Sequence, residues 1–297
     1  MKNLPVLMAL IVSVNFCYAQ DYRAQFVESL QADDTLKQWE ILTTWQKADP
    51  KSPELYTSYF NYYFQKSKQE LIALTEEEPS GESMSFQDST GQTVGFFGNQ
   101  TTFNGPVLQK GLDKIDEGIR LYPNRLDMRF GKIYVLGQLE DWDNFTQEIV
   151  KAIQYSKQNK NAWYWTNNEK KENGQEFFLT SLQDYQVQLY EAGRDVLAKY
   201  MGTIANEVLK YYPDHVESMS NLSITYLLTD KPDKAIEILL KAEKISPRDP
   251  IILGNIAHGY KQAGDRKKAI EYYRKTIQYA DPETAEQAEQ QLKELER

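Results

Sequence analysis

The chain has 297 residues with 34 basic and 43 acidic side chains, a formal net charge of −9. That balance argues against nucleic acid and anionic membranes as partners. One cysteine, Cys17, and two histidines, His215 and His258, leave almost no material for disulfides, thiolate or histidine-rich metal sites and His-based triads.

Residues 1–19 read as a secretory leader. Lys2 precedes the apolar run Leu4–Phe16, which is short for a membrane span, and Cys17-Tyr18-Ala19 offers a cleavage site after Ala19. The mature chain is expected to be exported, periplasmic or secreted, with no later stretch apolar enough for a membrane helix.

Residues 20–66 carry three predicted helices, at 22–30, 36–48 and 53–64. In the second, Leu36, Trp39, Leu42 and Trp45 recur at three-residue steps and predict a buried stripe. Tyr56, Tyr59, Phe60 and Tyr63 give the third an aromatic core face. Residues 67–104 change period. The alternating segments Glu82–Gln87 and Gln92–Phe97 flank Asp88-Ser89-Thr90-Gly91, which predicts a β-hairpin. A long insertion of this kind is either a partner-contacting flap or a passive elaboration.

The helical pattern resumes over 105–213. A helix at 107–121 completes the hairpin begun at Pro53, and helices at 126–138 and 142–155 form another. Arg129 and Lys132 stand there at positions expected to be apolar. A second polar break, 156–175, contains Trp163, Tyr164 and Trp165 beside Asn167-Asn168. Exposed aromatics next to amides can stack on a sugar or peptide. The competing expectation is one helical turn whose rings wedge between hairpins. Helices at 177–191 and 196–212 follow.

Residues 214–282 hold the clearest pattern. Met219, Leu222, Ser223, Tyr226, Ala235, Leu239, Ala242 and Pro247 recur at a 34-residue spacing as Leu253, Ile256, Ala257, Tyr260, Ala269, Tyr273, Thr276 and, one place late, Pro282. Bulky, bulky, small, Tyr on one helix and small, large, small on the next resembles the tetratricopeptide repeat. The resemblance implies an all-α fold, a right-handed α-solenoid of stacked helical hairpins, into which the β-hairpin predicted from alternation at 67–104 is inserted. The polar helix 283–297 suits its open end as a cap.

The resemblance further implies that the first helix of each repeat lines a groove that holds a peptide or helix of a protein partner. Carried over position by position, the groove residues are Glu217, Ser220, Ile224 and Leu227, then Ile251, Gly254, His258 and Lys261, with Thr57, Asn61, Phe64, Asp127, Phe130 and Tyr134 upstream. Apart from Lys261 and Asn61, the Lys, Arg and Asn residues that clamp a C-terminal carboxylate in some members are missing. An amphipathic segment suits the groove better. No spacing nominates a catalytic pair, a metal site or a cofactor site. The expected role is a non-enzymatic protein–protein interaction or assembly scaffold of the bacterial periplasm or envelope. The alternative is a carbohydrate-binding accessory protein using Trp163, Tyr164 and Trp165 on a glycan.

Overall fold

The computed structural model describes residues 18–76, 78, 83–191 and 197–297. The apolar run 4–16, expected to be a leader, lies outside the described residues. Among those described, no helix is long and apolar enough to cross a membrane. The chain forms two compact units. One runs up to Met128 and includes Thr166–Asn168, and the other comprises Arg129–Trp165 and Glu169–Arg297.

The first unit contains α1 (Tyr18–Gln31), α2 (Thr35–Ala48), α3 (Pro53–Ser67), β1 (Lys68–Thr75), β2 (Ser83–Gln87), β3 (Thr93–Phe103), α4 (Gly105–Leu121) and the start of α5 (Leu126–Gln138). Asp34 ends the α1–α2 turn and its carboxylate accepts the Lys37 N–H at 2.9 Å, capping α2. Phe26, Ile41, Leu42, Trp45, Leu55, Tyr59 and Tyr62 form the core between the first three helices.

The predicted stripe on α2 needs correction. Leu42 and Trp45 are buried, but Leu36 is 85% exposed and Trp39 stands at the rim against the Tyr62 ring. A three-residue step advances roughly 300° around a helix, so nine residues bring the stripe to the opposite side. Leu36 and Trp45 therefore cannot share a face.

α3 and α4 pack as one hairpin although the insertion separates them in sequence. Phe60 and Tyr56 are bulky where the helices cross, and α4 answers with glycine. A Cβ on Gly118 would lie 2.9 Å from Tyr56 Cβ, and one on Gly111 would lie 3.0 Å from Tyr63 Cβ. The small residues demanded by close approach have moved to the second helix.

The insertion is a three-stranded antiparallel sheet in the order β1-β3-β2. The expected hairpin is β2–β3, turning at Gly91 with φ +85°, and Gly98–Phe103 continues β3. β1 is an additional strand, paired from Lys68↔Phe103 to Thr75↔Phe96. At its base the Asn104 N–H donates to the Ser67 carbonyl at 2.7 Å, and Phe103 stacks on Phe64.

The second unit holds the rest of α5, α6 (Trp142–Gln158), the short ribbon β4 (Tyr164–Trp165) with β5 (Glu169–Lys170), α7 (Gly174–Glu191), α8 (Leu197–Tyr211), α9 (Val216–Leu228), α10 (Pro232–Ile245), α11 (Pro250–Gln262), α12 (Arg266–Tyr279) and α13 (Pro282–Glu296). Each hairpin stacks on the next as in a tetratricopeptide-like α-solenoid. Arg129 and Lys132 are accommodated by pairing: the guanidinium lies 4.6 Å from the Tyr155 ring centre, and Lys132 Nζ is 3.2 Å from Glu148.

In the repeats, Ser223 and Ala257 on the first helices and Ala235 and Ala269 on the second are all fully buried at the crossings. Met219, Leu239, Leu253, Ile256, Tyr260 and Tyr273 fill the space around them. The turns take positive φ at Asp230 and Gly264.

Candidate partner-binding site

Three first-position helices, α9, α11 and α13, share a face with α12 behind them, and an open cleft of about 520 Å³ lies along it. Ile224, Leu227 and Leu228 come from α9. Pro250, Ile251, Gly254, Asn255 and His258 come from α11, and Thr284, Gln287, Ala288 and Gln291 from α13. Asp249 fixes the start of α11 by accepting the N–H groups of Ile251 and Ile252. Two large apolar side chains stand open beside this cleft, Ile251 at 63% exposure and Leu228 at 48%.

The rim is polar and neutral. Asn255 donates its amide to Ser220 Oγ at 3.0 Å, tying α11 to α9. The walls desolvate His258 and the Lys261 ammonium adds to that effect, so the imidazole pKa lies below its ordinary value and the ring is neutral at pH 7. A neutral imidazole offers one donor and one acceptor to an incoming backbone.

The implied groove residues divide on inspection. Ile224, Leu227, Ile251, Gly254 and His258 are brought together along the cleft. Ser220 is buried and serves the α9–α11 contact. Glu217 lies beside His215, 3.3 Å from its Nε2. Lys261 is spent on α13, donating to Gln291 at 2.7 Å and to Glu294 at 2.9 Å. Phe130 is buried in α5, stacked on Phe178, while Tyr134 on the same helix is exposed; neither lines this cleft. Leu228 and the α13 residues were not anticipated. Leu228 follows the repeat's last groove position, and α13 adds the wall that a third first-helix would supply.

The aromatic cluster at 163–165 is not an exposed stacking platform. It forms a ribbon rather than a helical turn, Tyr164 pairing with Lys170 and Trp165 with Glu169. Trp163 is fully buried, 5.4 Å from the Phe178 ring and 5.9 Å from Tyr155. Tyr164 and Trp165 are half-buried, and Trp165 packs on Phe177.

The asparagines next to that cluster are tied into the first unit, Asn167 through its backbone and Asn168 through its side chain. The Asn167 N–H donates to Glu54 Oε1 at 2.8 Å, and Asn168 Oδ1 accepts from Arg125 at 3.3 Å. Arg125, only 2% exposed at its side chain, also donates to Glu54 at 2.9 Å and twice to Asp127 at 2.9 and 2.8 Å. Burial opposes its charge, and the Asp127 and Glu54 carboxylates outweigh that opposition. Asp127, placed in the groove by position, is thus half of a buried ion pair.

Residues 216–249 and 251–281 match the family model described as tetratricopeptide repeat, so the chain carries two such repeats. No curated protein matches it. Among solved structures, it is similar to PilW, titled a widely conserved type IV pilus biogenesis factor, at 12% identity and TM-score 0.39, over 91% of this chain and 97% of that one. A tetratricopeptide repeat protein from Parabacteroides merdae aligns at 12% identity and TM-score 0.37, over 89% of this chain and 80% of that one. The repeat domain of P58(IPK) aligns at 14% identity and TM-score 0.32; 93% of this chain spans 66% of that one.

Proposed function

We propose that this repeat-bearing chain is a non-enzymatic scaffold, exported to the periplasm or envelope of a bacterium, that holds an apolar-faced peptide or helix of a protein partner in the cleft between α9, α11 and α13. The observation that carries the reading is the pair of open side chains Ile251 and Leu228 beside a concave surface whose floor is Ile224 and Leu227. Fully covering an aliphatic side chain of this size is worth about 1.5–3 kcal/mol. An amphipathic helix presents anchors at i, i+3 and i+4 that fit such a strip. Because Lys261 is already held by Gln291 and Glu294, an internal segment suits the cleft better than a free carboxylate terminus.

The test places a photo-crosslinking residue at Ile251 in the native cell, with and without Ile224→Asp. A single protein adduct that disappears with Ile224→Asp, in a variant that still folds, supports the reading. An adduct indifferent to Ile224→Asp, or none at all, overturns it. For the location, the leader motif predicts a mature protein starting at Gln20 in the exported fraction; an uncleaved chain confined to the cytoplasm would overturn that part.

A further inference from the structure

We infer that the free edge and one face of the three-stranded sheet form a second interaction surface, one that accepts an extended partner segment alternating apolar and basic residues. β1 pairs with β3 along its whole length, and no strand among the described residues takes its other side. Its outward N–H and C=O groups are a template for another strand. Protective edges carry charged side chains, a proline or a bulge. β1 has no proline or bulge, its charges Lys68 and Glu70 lie in its first half, and the sheet's one register shift lies on the opposite edge, between Phe86 and Gln87.

The face beside that edge is apolar and uncovered. Leu74 stands opposite Phe97, Phe97 stands opposite Met84, and the Phe86 ring lies 6.5 Å from that of Phe97. Ile72 shares their face by the two-residue period. These five side chains are 39–72% exposed. Together they present on the order of 600 Å² of apolar surface, as large as the biggest patch on a typical monomer.

Charge selects the occupant. Glu70 shares the face of Ile72 and Leu74, and Glu76 follows directly after the strand; both are exposed and carry no ion pair among the described residues. The insertion 67–104 holds one basic residue, Lys68, against six acidic ones. Such a surface repels anionic lipid and a second acidic copy of the chain. A strand laid along β1 would set apolar side chains beside Ile72 and Leu74. Lys or Arg six positions apart would then fall beside Glu70 and Glu76. Backbone pairing supplies affinity, and the alternating side chains supply selection.

The probe is a labelled peptide, Thr-Lys-Thr-Val-Thr-Ile-Thr-Lys-Thr, titrated with the full chain by fluorescence anisotropy. Saturable binding is expected, weakened several-fold as salt rises from about 0.05 to 0.3 M. Glu70→Lys with Glu76→Lys should weaken it at least about tenfold and transfer preference to a peptide with Glu in both Lys places. Leu74→Asp, with helical content unchanged by circular dichroism, should also lose it. Equal binding by native chain and double variant, or no binding by the folded native chain, overturns the inference. Sedimentation showing a native dimer that the double variant loses would make a second copy the occupant and overturn the basic partner.

Discussion

A methyl group added at Gly259 would sit 2.9 Å from Ile236 Cγ1, with Leu227 Cδ2 at 3.8 Å. Carbon atoms rest about 3.5–4.0 Å apart, so Ile236 must retreat by about 0.6–1 Å. It is buried and β-branched, with little χ1 freedom to do so. Overpacking of this kind costs about 1–3 kcal/mol, and the helix preference for Ala over Gly returns about 1 kcal/mol. Gly259→Ala is therefore expected to lose about 0–2 kcal/mol. Gly254, on the same helix, is the internal control: its added methyl would meet Thr276 Cγ2 at 3.7 Å, an ordinary contact. There the preference acts alone, and Gly254→Ala should gain about 0.5–1 kcal/mol. Urea unfolding of both variants, followed by far-UV circular dichroism, compares them directly. With unchanged m-values the Gly259→Ala midpoint should fall below that of Gly254→Ala by about 1 M. A Gly259→Ala midpoint at or above its control would refute the close approach of α11 to α10.

Three further outcomes follow from the geometry. His215 caps α9, its Nδ1 accepting from the Ser218 N–H at 3.3 Å while Nε2 faces Glu217. Burial lowers its pKa against the opposing pull of Glu217, so the folded chain holds that proton less tightly than the unfolded chain. The cap is then fully present above the ordinary histidine range and is lost as pH falls through the lowered value, at about 1 kcal/mol. His215→Asn caps without titrating, so its stability should decline less between pH 7 and pH 5; identical slopes would count against the cap. Arg125→Met strands the Glu54 and Asp127 carboxylates and should cost about 3–5 kcal/mol; a urea midpoint within error of the native one would exclude a buried ion pair. Trp163→Ala should cost about 3–5 kcal/mol in the same assay, and a variant as stable as the native chain would contradict its burial.

What was legible in the sequence is what repeats or alternates locally. Ala235 and Ala269, Tyr226 and Tyr260 recur at one period because each hairpin solves the same packing problem. The β2–β3 hairpin was legible because alternation flanks a glycine turn. β1 was not, since Lys68-Gln69-Glu70 follows Ser67 without a turn residue and Leu71–Leu74 is a continuous apolar run. Gly111 and Gly118 gave a usable signal, being seven residues apart and so on one helical stripe, facing the bulky side of α3. For Trp163 the expectation of a ring wedged between hairpins agrees with its burial, but its partners Tyr155 and Phe178 were not legible, because only the tertiary fold brings them to it. Lys261 is similar, because its capture by Gln291 and Glu294 depends on where α13 lies.

The pairing of Lys68 with Phe103 and of Ser67 with Asn104 bears on how the α3–α4 hairpin can form at all. As an open loop, the segment 68–104 would cost about 2 kcal/mol more to close than a turn of about three residues. In the folded chain the strand pairs inside the segment offset that cost by holding its two ends together. A sheet that closes from the Gly91 turn outward would bring the ends of α3 and α4 together by the time Lys68 meets Phe103. On that order a substitution that slows the positive-φ turn at Gly91 should delay the flanking helices, and an unchanged folding rate would exclude it.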